Sequence, residues 1–179
     1  MPPKPPTAPA PETLHTAVAP CPLGDVRVAV SPAGLCAVAL GMPEDAWRAD
    51  LRRRFPRAAL ADGQGTHRAW ADAVAALIEA PVMDFAPPLD LRGTAFQQRV
   101  WALLSTIPPG QTLSYGEVAR RLGAPRSTRA VAQACGANPL AVVIPCHRVI
   151  ASNGGLTGYR WGLERKRALL QREGAQPRA

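Results

Sequence analysis

The second half of this chain is organised by one stretch, SYGEVARRLGAPRSTRAVAQAC, which occupies residues 114–135. Ser114 and Glu117 have the spacing of a capping box, so a helix is predicted to begin there. The Gly-Ala-Pro sequence at 123–125 ends this helix, and a further helix is predicted over residues 129–135. Two short helices joined by a Gly/Pro turn have the form of a helix-turn-helix.

The second helix of this pair is the candidate DNA-reading helix, and Ser127 or Thr128 can cap it. It is poor in side chains that hydrogen-bond to base edges, and small residues such as Ala130 let its backbone approach a groove closely. Arg129 at its N-terminal end can contact a phosphate or enter the base stack. The pattern predicts sequence-independent DNA binding, and an ordinary helical hairpin that packs on its alanines is the alternative.

The run IPCHRVI at 144–150 holds the candidate reactive thiol. Cys146 is followed by His147 and Arg148, whose positive charges would favour the thiolate, the nucleophilic form. The apolar run at 140–144 predicts a strand that leads to Cys146. Adjacent residues of an extended segment point to opposite sides, so a water molecule is expected between Cys146 and His147. The alternative is a buried structural cysteine beside a surface histidine.

A glycine-rich loop, NGGLTGYRWG at 153–162, follows the candidate thiol. Its glycines lack the spacing of a phosphate-binding loop. Its aromatics, Tyr159 and Trp161, favour a mobile lid over a flat ligand, and a structural loop with aromatics tucked into the core is the alternative. A closing helix over 163–173 is predicted to turn its leucines inward and its basic residues outward.

The first half of the chain is predicted to form a small α/β layer domain. Alternating valines, turn residues and a second apolar run predict a hairpin over 26–40. Pro43 is predicted to open a helix, residues 66–79 form a second one, and a short strand follows at 89–91.

We therefore divide the chain into a disordered Pro-rich tail at 1–18, an N-terminal domain at 19–92 and a C-terminal domain at 93–179. Thr94 and Gln97 form a capping box that starts the first helix of the C-terminal domain.

Composition narrows the class of protein. The 179 residues carry a formal net charge of +8, supplied mainly by arginine, which is typical of proteins with a polyanionic partner. The four cysteines form no CxxC pair, so we expect free thiols, no metal and a reducing compartment. No apolar run is long enough to cross a membrane and no signal peptide is evident, so a soluble, cytoplasmic protein is expected.

Six ordered motifs carry a resemblance to a known family: SYGEVA at 114–119, RAV at 129–131, NP at 138–139, PCHR at 145–148, GYRWG at 158–162 and REG at 172–174. Together they closely resemble the O6-alkylguanine-DNA alkyltransferases. The lid loop is most similar to the alkyltransferase half of the bacterial adaptive-response protein. The resemblance is specific over 96–173, and residues 21–91 look like the family's N-terminal domain with weaker motif content.

The resemblance implies an α+β fold, with a small ribonuclease-H-like N-terminal domain and a mainly helical, winged-helix-like C-terminal domain that contains the helix-turn-helix. It implies a monomer that binds double-stranded DNA, flips out an O6-alkylguanine and moves the alkyl group irreversibly to the Cys146 thiolate. O4-alkylthymine is a further candidate substrate. No cofactor is implied, because the thiolate attacks an sp³ carbon directly, and each molecule acts once.

The resemblance also implies residue roles. Cys146 is the acceptor, His147 the water-mediated base, Glu173 the carboxylate that orients it and Asn138 the brace of the turn before the cysteine. The DNA contacts and the guanine pocket are assigned to a larger set: Tyr115, Ser127, Thr128, Arg129 and Ala130 on the DNA side, and Tyr115, Val149, Tyr159, Arg160 and Trp161 around the base.

Two departures from the family pattern stand out. Cys21, Cys36, His15 and His67 do not reproduce the zinc ligands of some members, and Arg160 replaces a serine found after the lid tyrosine in others. The competing functions are a noncatalytic damage-binding module, which typically lacks the acceptor cysteine, and a cysteine hydrolase, for which no oxyanion loop is evident.

Overall fold

The computed structural model describes residues 11–81 and 85–175. The first half of the chain builds a four-stranded sheet in the order β3-β2-β1-β4. Its strands are β1 (Thr13–Ala19), β2 (Val26–Ser31), β3 (Gly34–Leu40) and β4 (Ala59–Asp62). The β1–β2 and β2–β3 pairs are antiparallel, whereas β4 runs parallel to β1. The predicted hairpin over 26–40 is confirmed as β2 and β3.

Two helices, α1 (Glu44–Arg54) and α2 (Thr66–Glu79), accompany the sheet, and α2 packs on β1 and β2. Trp47 and Leu51 of α1 are buried, as are Val74 and Ile78 of α2. Their i, i+4 spacing explains both helices, because it places the apolar side chains on one face.

The second half is mainly helical. It contains α3 (Ala95–Leu104), β5 (Leu113–Ser114), α4 (Tyr115–Arg121), α5 (Thr128–Gly136), a 3₁₀ turn (Cys146–Arg148), β6 (Val149–Ile150) and α6 (Leu163–Arg172). Both predicted capping boxes are present: Thr94 and Ser114 each accept from the N–H three residues ahead at 3.2 Å. The two halves together make a mixed α+β fold.

Two sequence predictions about local structure are wrong. The tail does not reach residue 18, because Thr13–Ala19 is an inner strand paired with β2 on one side and β4 on the other. Residues 1–10 lie outside the described part of the chain. Residues 140–144 are not a strand but a tight turn, in which Val142 has a φ of 68°.

The outer edge of β3 connects the halves. Val38 donates to the Pro139 carbonyl at 2.8 Å and accepts from the Ala141 N–H at 3.3 Å, in a parallel bridge with Leu140. The predicted strand at 89–91 is a second such bridge, between Leu89 and β3. Both satisfy backbone groups at the edge of the sheet. Among the described residues, no helix is long and apolar enough to cross a membrane.

Gly34 begins β3 with a φ of 140°, and a Cβ built there would lie 2.2 Å from the Pro88 carbonyl oxygen. We expect Gly34→Ala to lower the free energy of unfolding in urea by about 3 kcal/mol or more, because it adds a backbone clash to an unfavourable φ. Gly65→Ala is the matched control. Its φ is 54° with no atom within 4 Å, so only the conformational penalty of roughly 1–2 kcal/mol applies. Equal losses in the two variants would contradict the clash.

Candidate active site

Cys146 begins the 3₁₀ turn and is almost fully buried, with 4% of its surface exposed. The Asn138 side chain donates from Nδ2 to Cys146 Sγ at 3.1 Å and to the Ile144 carbonyl at 2.8 Å. Its Oδ1 accepts from the Leu140 N–H at 2.9 Å. One fully buried amide therefore connects the residues after α5 to the turn that carries the thiol.

The thiol of Cys146 favours its protonated form. Burial raises its pKa to about 11, and a hydrogen bond and the charge of Lys166 oppose this only in part. The prediction that His147 and Arg148 supply the favourable charges is wrong. Arg148 is directed at other partners, and burial lowers the pKa of His147, which is therefore neutral at pH 7. Forming the thiolate requires a base.

His147 is fully buried and paired with Glu173, whose Oε1 lies 2.8 Å from His147 Nε2. A neutral imidazole that donates from Nε2 to a carboxylate has its lone pair on Nδ1. Within the described part of the chain, His147 Nδ1 is buried and makes no hydrogen bond. The expected geometry of alternating strand residues does not apply, because His147 lies on a 3₁₀ turn. The Glu173 contact, not strand alternation, directs its ring.

Arg148 holds the same carboxylate from a second side. Its Nε donates to Glu173 Oε2 at 3.0 Å and its Nη2 to Oε1 at 2.8 Å, while Nη1 donates to the Ile107 carbonyl. Burial alone would raise the pKa of Glu173, but the hydrogen bonds from His147 and Arg148 outweigh it and hold the pKa at about 2. Glu173 is therefore a fixed negative charge beside the histidine.

A cavity of about 800 Å³ opens between α5 and the loop at 157–160. It is lined by Tyr115, Thr128, Arg129, Ala132, Gly136, Thr157, Gly158, Tyr159 and Arg160. The Tyr115 hydroxyl donates to the Thr157 carbonyl at 3.1 Å, which joins α4 to the loop across the cavity. Burial raises the pKa of both Tyr115 and Tyr159. Both tyrosines pack against the hydrophobic core that contains Cys146.

The structure brings five of the predicted DNA and base contacts together on this wall: Tyr115, Thr128, Arg129, Tyr159 and Arg160. The other four do not line it. Val149 is fully buried in β6, and Trp161 belongs to the core, where it packs edge-on against Tyr159 at 5.2 Å. Ser127 is the N-cap of α5 without a side-chain hydrogen bond, and Ala130 is half-buried.

Lys166 is a fully buried cation on α6 that was not among the predicted site residues. Its Nζ donates to the Val149 carbonyl at 2.6 Å and the Thr157 carbonyl at 3.0 Å, and lies 5.9 Å from the Tyr115 ring centroid. Burial lowers its pKa. We predicted that the basic residues of this helix face outward, which is wrong for Lys166. Lys166 lies three residues before the buried Leu169, so both side chains are on the inward face of the helix. This spacing is the sequence signal from which the burial of Lys166 could be predicted.

All four cysteines are free thiols. His15 and His67 stack face to face with ring centroids 4.5 Å apart. Across the described ranges, no group of three or more His, Cys, Asp or Glu side chains is arranged to hold a metal ion.

Comparison with known proteins identifies the class. The family described as "6-O-methylguanine DNA methyltransferase, DNA binding domain" matches residues 95–175. The crystal structure of the Mycobacterium tuberculosis protein OGT in complex with DNA is similar with a TM-score of 0.72 and 40% sequence identity, over 90% of this chain and 92% of that one. The mixed α+β fold is therefore that of the alkyltransferase structures.

Curated relatives define the family. The inducible methylated-DNA--protein-cysteine methyltransferase of Bacillus subtilis is 43% identical over 122 residues, which is 68% of each chain. The bifunctional transcriptional activator/DNA repair enzyme Ada of Escherichia coli is 46% identical over 160 residues, 89% of this chain but 45% of Ada. This chain thus spans less than half the length of Ada. It belongs to the family of methylated-DNA--protein-cysteine methyltransferases.

The depressed pKa of Glu173 predicts a pH dependence of stability. Its pKa is about 2 in the folded protein against 4.5 as the ordinary value, so its stabilising contribution is present above pH 4.5 and is lost as the pH falls towards 2. The difference corresponds to about 3 kcal/mol. Urea unfolding between pH 5 and pH 2.5 should show a shallower loss of stability for Glu173→Gln than for the wild type. Parallel slopes would mean that Glu173 is not held ionised.

Proposed function

We propose that this chain repairs DNA by transferring the alkyl group of O6-alkylguanine to its own Cys146 in one stoichiometric step. The observation that carries the proposal is the buried His147, whose Nε2 is held by an ionised carboxylate while Nδ1 has no partner in the described structure. A neutral imidazole in this state is a base with its free lone pair available. The names of the relatives and the DNA complex of the M. tuberculosis protein support the same reaction.

The raised pKa of Cys146 means that a proton transfer must accompany the reaction. With a pKa of about 11, only a very small fraction of Cys146 is thiolate at pH 7, so its proton must leave as the reaction proceeds. His147 Nδ1 accepts that proton through a water molecule. The imidazolium that forms is stabilised by Glu173, which is negatively charged over the whole neutral range.

In the alkyl transfer, Cys146 Sγ forms a bond to the sp³ carbon on O6 while the carbon–oxygen bond breaks in line with it. The electron pair goes to the guanine, which takes up a proton and leaves as the normal base. The product is a thioether, which does not hydrolyse under ordinary conditions. No step regenerates the thiol, so each molecule acts once.

Access to the base requires that the nucleotide leave the duplex, since O6 is paired inside it. We propose that α4 and α5 act as a helix-turn-helix in the minor groove. The cavity beside α5 is the right kind of space for an extruded guanine, with Tyr159 and Arg160 on one wall and Tyr115 on another. Arg129, exposed near the N-terminus of α5, would fill the vacated position in the stack.

Finer features of the fold belong to the same proposal. The sheet order β3-β2-β1-β4, with one parallel pair, supports a ribonuclease-H-like N-terminal domain. The compact α3–α5 group with the β5–β6 pair supports a winged-helix-like C-terminal domain. With β1 included, we place the N-terminal domain at 13–92 and the alkyltransferase domain at 93–179, acting as a monomer on double-stranded DNA.

Incubation with an oligonucleotide that contains O6-methylguanine should add one methyl group to the peptide that carries Cys146, as measured by mass spectrometry. Cys21, Cys36 and Cys135 are internal controls and should remain unmodified. Cys146→Ser should neither gain the methyl group nor repair the lesion. Loss of the lesion with Cys146 unmodified would refute the mechanism. Tight lesion binding without transfer would favour a damage-binding module instead.

Arg129→Ala should slow repair of a duplex lesion by about tenfold, because the empty position in the stack no longer has a substitute for the extruded base. Reaction with free O6-benzylguanine should change by less than about twofold, since no base is flipped. Arg68→Ala, which removes the same charge from the exposed face of α2, is the control for net charge. Equal losses on both substrates would contradict the stack-filling role.

A further inference from the structure

The N-terminal half contacts the cavity wall through an ion pair. Asp50 of α1 has only 8% of its side chain exposed, and its Oδ2 lies 2.9 Å from Nη2 of Arg160 in the loop. Arg54 also pairs with Oδ2 at 3.3 Å, while Arg53 pairs with the other oxygen. A carboxylate this buried requires such partners, because unpaired it would lose its hydration without compensation.

A second arginine makes a separate connection. Arg165 of α6 donates from Nε to the Leu23 carbonyl, before β2, at 2.7 Å and from Nη1 to the Trp161 carbonyl at 2.9 Å. Its guanidinium fills a slot beside Gly24 and Gly41. A Cβ on Gly41 would lie 2.0 Å from Arg165 Nη2, so this slot exists only because the residue is glycine.

The loop at 157–162 lies between these contacts and contains two glycines with positive φ. Gly158 and Gly162 have φ values of 48° and 98°, a region that glycine occupies freely. Its first part is held from within the C-terminal half, where Tyr115 and Lys166 donate to the Thr157 carbonyl. Its last part is held by Arg160 and Arg165, both of which reach the N-terminal half.

We propose that the N-terminal half is a positioning device for the wall of the substrate cavity, acting through two contacts that we call the lid clamps: Asp50–Arg160 and Leu23–Arg165–Trp161. Arg160 lies 5.8 Å from the Trp161 ring, and Trp161 packs against Tyr159. Because Tyr159 packs against the same hydrophobic core that contains Cys146, the clamps fix the Tyr159 wall beside the core that buries the thiol. Asp50 and Arg165 are positioning residues that govern access to the thiol and, resting on the proposed function, the size of the alkyl group accepted.

The consequence for reactivity has a definite direction. Loosening the clamps lets the Tyr159 wall retreat, which exposes the thiol to small reagents. It also disorders the cavity around a small methyl substrate, whereas a bulky benzyl group gains room. The ratio of benzyl to methyl transfer therefore rises when a clamp is lost. Simple destabilisation would lower both rates together and would leave their ratio unchanged.

The test uses the full chain with Asp50→Asn, Arg165→Met and the double variant. Arg53→Ala is the matched control: Arg53 pairs with Asp50 and its side chain is 75% exposed. In the described structure it makes no hydrogen bond or ion pair with the loop. The first measurement is the rate at which iodoacetamide modifies Cys146, followed by peptide mass spectrometry. This readout does not depend on DNA repair. Buried Cys36 reports global unfolding in the same sample.

We expect each clamp variant to speed the modification of Cys146 by about fivefold, a coupling of ordinary size for a contact pair, with a larger effect in the double variant. Cys36 in every protein, and Cys146 in Arg53→Ala, should react at the wild-type rate. An unchanged Cys146 rate in both single variants would overturn the proposal. A rise shared by Cys36, or equalled in Arg53→Ala, would do the same.

The second measurement compares transfer from O6-benzylguanine and O6-methylguanine within the same oligonucleotide. The ratio of the two rates should rise by about fivefold in the clamp variants and stay constant in Arg53→Ala. A wild-type protein that transfers neither group refutes the proposed function, while the iodoacetamide rates still decide the positioning role. A wild type that transfers both, with an unchanged ratio in the variants, refutes the role in substrate size.

Discussion

The buried amide of Asn138 is the contact on which the site depends. A primary amide taken out of water is destabilising unless its groups are paired, and this one is paired with the Leu140 N–H, the Ile144 carbonyl and the Cys146 sulfur. Those partners fix the shape of the turn after α5. The same turn places Leu140 against Val38 at the edge of the sheet. One side chain and its neighbours therefore fix the positions of α5, the thiol and the N-terminal half relative to one another.

The charges of the site are arranged around oxygen atoms and not around the sulfur. Arg148 and His147 are both directed at Glu173, and Lys166 is directed at backbone carbonyls. Burial raises the pKa of the thiol to about 11, so under the proposed mechanism its reactivity depends on a base that takes the proton during the reaction. A thiol that is protonated at rest inside the protein is shielded from adventitious oxidation and alkylation, because the thiolate is the reactive form. Under the proposed mechanism, the thiol therefore reacts only when a substrate carbon is in place.

The two halves of the chain contribute different things to this site. The C-terminal half supplies Cys146, the His147–Glu173 pair and the helices α4 and α5. The N-terminal half supplies a sheet edge on which the turn after α5 docks. It also supplies the Asp50 carboxylate and the Leu23 carbonyl, which hold Arg160 and Arg165. Rigid support from a neighbouring domain matters most where the local chain is rich in glycine, because such a segment has no conformational preference of its own.

The sequence by itself determined the elements of the fold that depend only on interactions between nearby residues. The capping boxes at Thr94 and Ser114, the α1 and α2 helices and the β2–β3 hairpin all follow from spacing within a few residues, as does the proximity of Cys146 to His147. Tertiary structure decided where the charges point. Arg148, beside the cysteine, is directed at a carboxylate 25 residues away. Lys166 is buried among carbonyls from two segments. Residues 140–144 form a turn because Asn138 and the edge of β3 hydrogen-bond to their backbone. Periodicity describes which face of an element is buried, but the partner of a buried charge comes from another part of the chain, and only the folded arrangement brings the two together.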